Sequence, residues 1–159
     1  LLEVGEEKMN VHFSSAKQTW ETPQDLFDRL NDIFNFNLDA CAEDDTAKVK
    51  KYFTIDDNAL IQDWIGSVWC NPPYNREQIK FIEKALNESL KHKSTVVLLI
   101  PARPETKVWQ NLIFKNASQI CFIKGRLKFG NSKHNAPFPS ALIVFGKHID
   151  LSEFGFCVY

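Results

Sequence analysis

The sequence predicts an α/β domain, one sheet with helices on both faces. Three observations carry this. Thr95 to Ile100 is an unbroken, β-branched apolar run, the kind of strand buried on both faces of a parallel sheet. Two amphipathic stripes at helical spacing, one near residue 27 and one near residue 85, each offer a single apolar face. Strand-like and helix-like segments then alternate along the chain, the pattern of a sheet layered between helices.

Each element has its own signal. Thr22-Pro23-Gln24-Asp25 reads as a helix start, with Thr22 as cap and Pro23 in the first helical position. Leu26, Phe27, Leu30, Ile33 and Phe34 form the stripe that follows. Phe36 to Ala40 alternates apolar and polar residues, a short strand ending near Asp39. Residues 41–66 are polar, and one short helix is predicted from Thr46 to Tyr52. Val68 to Asn71 is a strand, Glu77 to Lys91 an amphipathic helix and Thr95 to Ile100 the buried strand. A helix over Glu105 to Lys115 and a strand over Gln119 to Ile123 come next. A basic, glycine-containing segment fills Lys124 to Pro137, and Ala141 to Phe145 is a further strand. A short apolar stretch ends at Tyr159.

With 159 residues, 44% of them hydrophobic and 25% charged, the chain reads as one soluble, globular unit. Residues 1–12 are expected to be a flexible N-terminal arm or an appended remnant, and residues 13–159 the single domain. The acidic, polar start resembles neither a secretion signal nor a transit peptide, and no apolar run reaches membrane-spanning length. Cys41, Cys70, Cys121 and Cys157 have no paired spacing, so reduced thiols and a cytoplasmic setting are expected. The four histidines are scattered, and no metal site is expected. The net charge of −1 conceals an asymmetry. Residues 1–75 hold 6 basic and 14 acidic groups, while residues 76–148 hold 13 basic and 4 acidic. Two ligands of opposite character would suit such halves.

The chemistry concentrates at Asn71-Pro72-Pro73-Tyr74, directly after a strand. Prolines lack the N–H and fix φ, so turn carbonyls face outward as acceptors. The Asn71 oxygen and a proline carbonyl can then hold both hydrogens of one planar amino group, with Tyr74 as a stacking surface. Acceptors placed where positive charge develops favour the transition state, which suits methylation of an amino or amide nitrogen. Asp39, at another strand end, could hold an ammonium or a hydroxyl group. Asp63-Trp64 could pair an amino-group acceptor with an aromatic wall. Ligands of such sheets bind outside the carboxyl ends of the strands, where Asp39 and Asn71 both fall. Lys124, Arg126, Lys128 and Lys133 surround Phe129 between glycines, a mixture suited to phosphates and stacked bases.

Together these blocks resemble the phage and prophage DNA N6-adenine methyltransferase family, small relatives of the Dam-type enzymes. The resemblance runs from about Trp20 to Phe145. It rests on Trp20-Glu21-Thr22-Pro23, Leu38-Asp39-Ala40-Cys41-Ala42, Lys51-Tyr52-Phe53-Thr54, Asp63-Trp64 and Trp69 to Tyr74, then on Ile100 to Arg103, Gly125 to Phe129 and Pro137 to Leu142. It implies a compact, trimmed Rossmann-like class I methyltransferase sheet, S-adenosylmethionine as methyl donor with S-adenosylhomocysteine as product, and adenine N6 in double-stranded DNA as acceptor. By position it assigns Asn71, Pro72, Pro73 and Tyr74 to catalysis. Trp20, Thr22, Pro23, Asp39, Ala40, Asp63, Trp64 and Asn71 are assigned to the cofactor, and Lys124, Arg126, Lys128 and Lys133 to DNA. The setting implied is a bacterial or phage-infected host cytoplasm, with no membrane partner, and a homo-oligomer is compatible. One departure stands out: no glycine occurs between Gly5 and Gly66, where this fold usually has a glycine-rich turn. The competing readings are a methyltransferase of RNA or of protein glutamine, and an inactive DNA-binding relative.

Overall fold

The computed structural model describes residues 20–159, so the expected N-terminal arm lies outside the described residues. Among these residues a six-stranded mixed sheet is built from β1 (Leu38–Asp39), β2 (Ser67–Cys70), β3 (Thr95–Pro101), β4 (Gln119–Ile123), β5 (Ser140–Phe145) and β6 (Gly155–Val158). Their spatial order is β1-β2-β3-β5-β4-β6. β1, β2 and β3 run parallel, whereas β5 lies antiparallel to both β3 and β4, and β6 antiparallel to β4. The fully parallel surroundings expected for Thr95 to Ile100 are therefore corrected on one side. Burial on both faces held, but a continuous apolar run specifies burial and not the direction of its neighbours.

Alternation along the strands divides the core into two layers. Val68, Cys70, Val96, Leu98 and Ile100 face α2 (Gln78–His92) and the helical segment α3 (107–116), through Ile82, Ala85, Trp109 and Ile113. Trp69, Val97, Leu99, Leu142 and Val144 face α1 (Gln24–Phe34), through Leu26, Phe27, Leu30 and Phe34. α3 contains a π-helical stretch, Trp109–Ile113, that ends in Phe114–Asn116.

Two local expectations change. Pro23, not Thr22, occupies the N-cap of α1, and no side chain caps the helix. Thr22 is instead buried, with its hydroxyl turned toward Asn71. The helix expected at 46–52 is absent. So short a segment has little intrinsic helical stability, and this one lacks an apolar stripe. Its backbone runs beside β1: the Asp39 N–H donates to the Lys51 carbonyl at 3.0 Å, and the Phe53 N–H to the Asp39 carbonyl at 3.0 Å. Short 3₁₀ turns follow at Ile55–Asp57 and Ala59–Ile61.

Candidate active site

Parallel pairing aligns Asp39 with Trp69, and the Ala40 N–H donates to the Trp69 carbonyl at 2.8 Å. Asp39 and Asn71 thus leave neighbouring strands at the same carboxyl edge. Between them lies a cleft of about 30 Å³, lined by Glu21, Thr22, Asp39, Cys41, Thr46, Lys48, Trp69 and Asn71. That volume holds about one water molecule. Any larger ligand needs the 41–48 loop, or side chains of the cover formed by residues 20–24, to move aside.

Asn71 sits in the turn just beyond β2. Its Nδ2 donates to the Trp20 carbonyl at 2.5 Å and to the Thr22 hydroxyl at 3.2 Å. Its Oδ1 is buried and has no hydrogen-bond partner among the described residues. A buried acceptor left unmade costs about 1–3 kcal/mol, so folding alone gives no reason to keep it. Pro73 follows, its carbonyl accepting from Gln78 Nε2 at 3.4 Å.

Tyr74 belongs to an aromatic box. Trp20 lies nearly parallel to it, 6.1 Å between centroids and 19° between planes, while Phe129 and Phe138 meet it edge-on at 6.0 and 5.6 Å. Its hydroxyl donates to the Leu99 carbonyl at 3.3 Å. Burial, with a smaller contribution from nearby Cys70, raises its pKa, so the ring remains a neutral phenol. One face of Tyr74 is therefore covered by Trp20, and a base stacking there has to displace that indole.

Asp39 is 2% exposed, and its carboxylate accepts the backbone N–H groups of Cys41 at 3.3 Å and Lys48 at 3.1 Å. Burial raises its pKa to about 6; the two N–H donors and the Lys48 charge oppose that rise without cancelling it. These contacts shape the loop after β1, which holds no glycine. Lys48 crosses from this loop to the cover, its Nζ donating to Gln24 Oε1 at 2.9 Å and pairing with Glu21 at 3.4 Å. Burial raises the Cys41 thiol to about 12, and the Cys70 thiol is also raised, so neither supplies a thiolate. The four cysteines are free.

Asp63 and Trp64 are not brought to this cleft. They precede β2, at the amino end of the strand that carries Asn71 on its carboxyl end. Asp63 is exposed and bonds Lys91 and His92 at 3.2 Å each, and these partners, His92 first, lower its pKa. Trp64 is fully buried, with its indole N–H on the Ala59 carbonyl and its backbone N–H on Glu88 at 2.7 Å. Asp63, Glu88 and His92 do converge, although Lys84 and Lys91 already neutralise the two carboxylates. An acid–aromatic pair in sequence does not reveal which end of a strand it occupies, and here it secures the wrong end for the expected cofactor contact.

Lys124, Arg126, Lys128 and Lys133 are exposed on the segment joining β4 to β5. The first three border a groove of about 500 Å³ between that segment and α1, together with Arg29 and Glu153. Arg126 also donates to the Ala136 carbonyl at 3.3 Å, which braces its own loop. The Gly130 N–H donates to the Glu21 carbonyl at 2.8 Å, so the basic segment and the cover over Asn71 are joined directly.

A family profile described as DNA N-6-adenine-methyltransferase (Dam) matches residues 10–149 of the 159. The chain belongs to this family. It is 37% identical over 123 residues to the DNA N-6-adenine-methyltransferase of Haemophilus phage HP1 (strain HP1c1), covering 75% of this chain and 70% of that protein. It is 30% identical over 116 residues to the DNA N-6-adenine-methyltransferase of Escherichia phage T1, covering 71% of this chain and 48% of that protein. A shorter likeness, 40% over 63 residues, links it to the putative methyltransferase YfdM of Escherichia coli (strain K12), covering 35% of this chain and 69% of that one. The mixed α/β sheet is consistent with a methyltransferase fold.

The residues assigned from sequence to one cofactor site were Trp20, Thr22, Pro23, Asp39, Ala40, Asp63, Trp64 and Asn71. Thr22, Asp39 and Asn71 line the cleft, Trp20 bonds Asn71, and Ala40 bonds Trp69 beside it. Pro23 instead lines the groove beside the basic segment, and Asp63 and Trp64 precede β2. Sequence reasoning missed Glu21 and Lys48, whose pairing spans 27 residues, and assigned Phe129 to the basic loop instead of the aromatic box. Ser140 was missed as well. Its hydroxyl is buried without a partner among the described residues, at the start of β5, opposite Pro101 at the same edge of the sheet. A buried serine among aromatic residues carries no sequence signal of that kind.

Proposed function

We propose that this protein is an adenine-specific DNA methyltransferase that moves a methyl group from S-adenosylmethionine to N6 of a flipped adenine. Family membership supports the reaction class. The observation that carries the chemistry is the Asn71 amide, with both hydrogens engaged and a buried Oδ1 that has no partner among the described residues. The cofactor supplies a methyl group already activated as a sulfonium. Asn71 Oδ1 and the Pro72 carbonyl accept the two hydrogens of the adenine amino group, which turns the nitrogen lone pair out of conjugation and toward the methyl donor. As positive charge develops on N6, the same two oxygens stabilise it. Tyr74 receives the base on its face once the Trp20 indole swings aside, the Trp20 carbonyl staying on Asn71, and the excess proton leaves N6 for solvent. Base flipping is required because N6 is otherwise held in the duplex stack.

The donor set of the cleft fits the amino-acid end of the cofactor. Asp39 suits its ammonium and Lys48 its carboxylate, with Ala40 beside them, while the backbone of residues 20–23 covers the cleft and the Thr22 hydroxyl is turned to Asn71. We read the sheet as a trimmed Rossmann-like class I form, supported by the parallel β1-β2-β3 half with its polar groups beyond the carboxyl ends. Among the described residues no helix is long and apolar enough to cross a membrane. We place the protein in the host cytoplasm beside its DNA substrate, a reading supported by its phage relatives.

The test offers labelled S-adenosylmethionine with duplex DNA, RNA or a protein extract in separate reactions. Label in duplex DNA supports the reading, whereas label confined to RNA or protein overturns the substrate.

Duplex binding belongs to the basic segment. Phosphate contacts release counterions, so affinity falls steeply with salt. Exchanging both Lys128 and Lys133 for alanine is expected to weaken binding similarly on all sequences and to flatten the salt slope by about two units. Fluorescence anisotropy across a salt series checks this, and an unchanged slope removes the segment from the DNA face.

A further inference from the structure

The two ends of an asparagine amide have nearly the same shape, and a half-turn about its last bond exchanges donor for acceptor. Something must therefore choose which end of Asn71 faces the cleft. The Trp20 carbonyl can only accept, and at 2.5 Å it claims one Nδ2 hydrogen. The Thr22 hydroxyl claims the other at 3.2 Å. Thr22 is 3% exposed, so water does not compete for that contact. With both hydrogens held, Oδ1 is the end left without a partner among the described residues, in a side chain that lines the cleft.

We propose that Thr22 is a positioning residue for methyl transfer, acting with the Trp20 carbonyl to lock the Asn71 amide as an acceptor for the substrate amino group. The inference rests on the reaction assigned above and gives a role to a residue that neither caps α1 nor carries charge. The segment bearing it is anchored on both sides. The Gly130 N–H holds the Glu21 carbonyl at 2.8 Å, and Lys48 reaches Gln24 at 2.9 Å. The lock is thus built from residues 49 and 51 positions away in sequence, on a segment braced by two loops. A carboxylate at position 71 would fail against it, since one oxygen would face the Trp20 carbonyl, acceptor against acceptor.

Three variants test this: Thr22→Val, which keeps the shape but removes the hydroxyl, Thr22→Ser, which restores it, and Asn71→Asp, which keeps one side-chain oxygen at the Oδ1 position. Steady-state kinetics and calorimetric binding of S-adenosylmethionine are read for each. Thr22→Val is expected to lower kcat roughly tenfold, the weight of one modest hydrogen bond, with KM and cofactor Kd within about twofold. Thr22→Ser should recover most of that loss. Asn71→Asp should lose at least about tenfold, because a buried carboxylate faces an acceptor. Wild-type kcat in Thr22→Val, a serine variant as impaired as the valine one, or full activity in Asn71→Asp each overturns the proposal. So does a raised cofactor Kd with kcat intact in Thr22→Val, which would make Thr22 a cofactor ligand. The wild-type protein offers a readout independent of activity and of variant folding. The Asn71 side-chain amide protons, followed by NMR, should exchange slowly with solvent, and rapid exchange overturns the lock. An impaired Asn71→Ala beside an unimpaired Thr22→Val defeats this inference alone, whereas a fully active Asn71→Ala defeats the reaction it rests on.

Discussion

Replacing Asn71 by alanine is expected to cut turnover by about 10²–10³ while cofactor and duplex affinities change little. The magnitude follows from what is lost, an acceptor used chiefly when charge develops on the substrate nitrogen. The variant also strips partners from the Trp20 carbonyl and the Thr22 hydroxyl, at a stability cost of roughly 1 kcal/mol. Thermal melting separates that cost from the catalytic loss. Single-turnover kinetics with prebound cofactor give the rate directly, and a wild-type rate would remove Asn71 from the chemistry.

Asp39 should produce two opposite pH trends. Its folded pKa of about 6 lies above the ordinary value of 3.8, so the folded protein holds this proton more tightly than the unfolded chain. Its contribution to stability therefore falls as pH rises from about 3.8 to about 6, and is level above that. At about 1.4 kcal/mol for each pH unit between those values, the total is at most about 3 kcal/mol. Cofactor affinity should move the other way, rising as pH passes about 6, because the ionised carboxylate is the form that pairs with an ammonium. Asp39→Asn is expected to bind S-adenosylmethionine about 10- to 100-fold more weakly, as for a lost charge-assisted hydrogen bond, and to flatten the rise. Calorimetry from pH 5 to 8 checks both, and a variant that binds the cofactor as the wild type does would place the pocket elsewhere. Cys41, raised to about 12, does not titrate in that range.

The elements legible in the sequence were those specified by local pattern. The stripes of α1 and α2 and the apolar runs of β3, β4 and β5 were placed to within a residue or two, since amphipathic spacing and continuous burial are properties of short windows. The motif turn at Asn71 was legible for the same reason. What escaped depends on distant partners. The antiparallel insertion of β5 beside β3 leaves no trace in either strand, and residues 46–52 abandon a helix for pairing with β1. Thr22 looks like a helix cap until Asn71, 49 residues away, takes its hydroxyl. Asp63 and Trp64 fit a ligand site by residue type and miss it by standing at the other end of β2. Lys48 is nearly buried only because Glu21 and Gln24 fold over it.

The central claim is that the Asn71 acceptor acts on the exocyclic amino group of adenine. Nucleoside analysis of duplex DNA after reaction with labelled S-adenosylmethionine tests it most directly, with wild type and Asn71→Ala run in parallel. Label is expected in N6-methyldeoxyadenosine from the wild type and almost none from the variant. Label in methylated cytosine, or equal label in N6-methyldeoxyadenosine from both proteins, would contradict it.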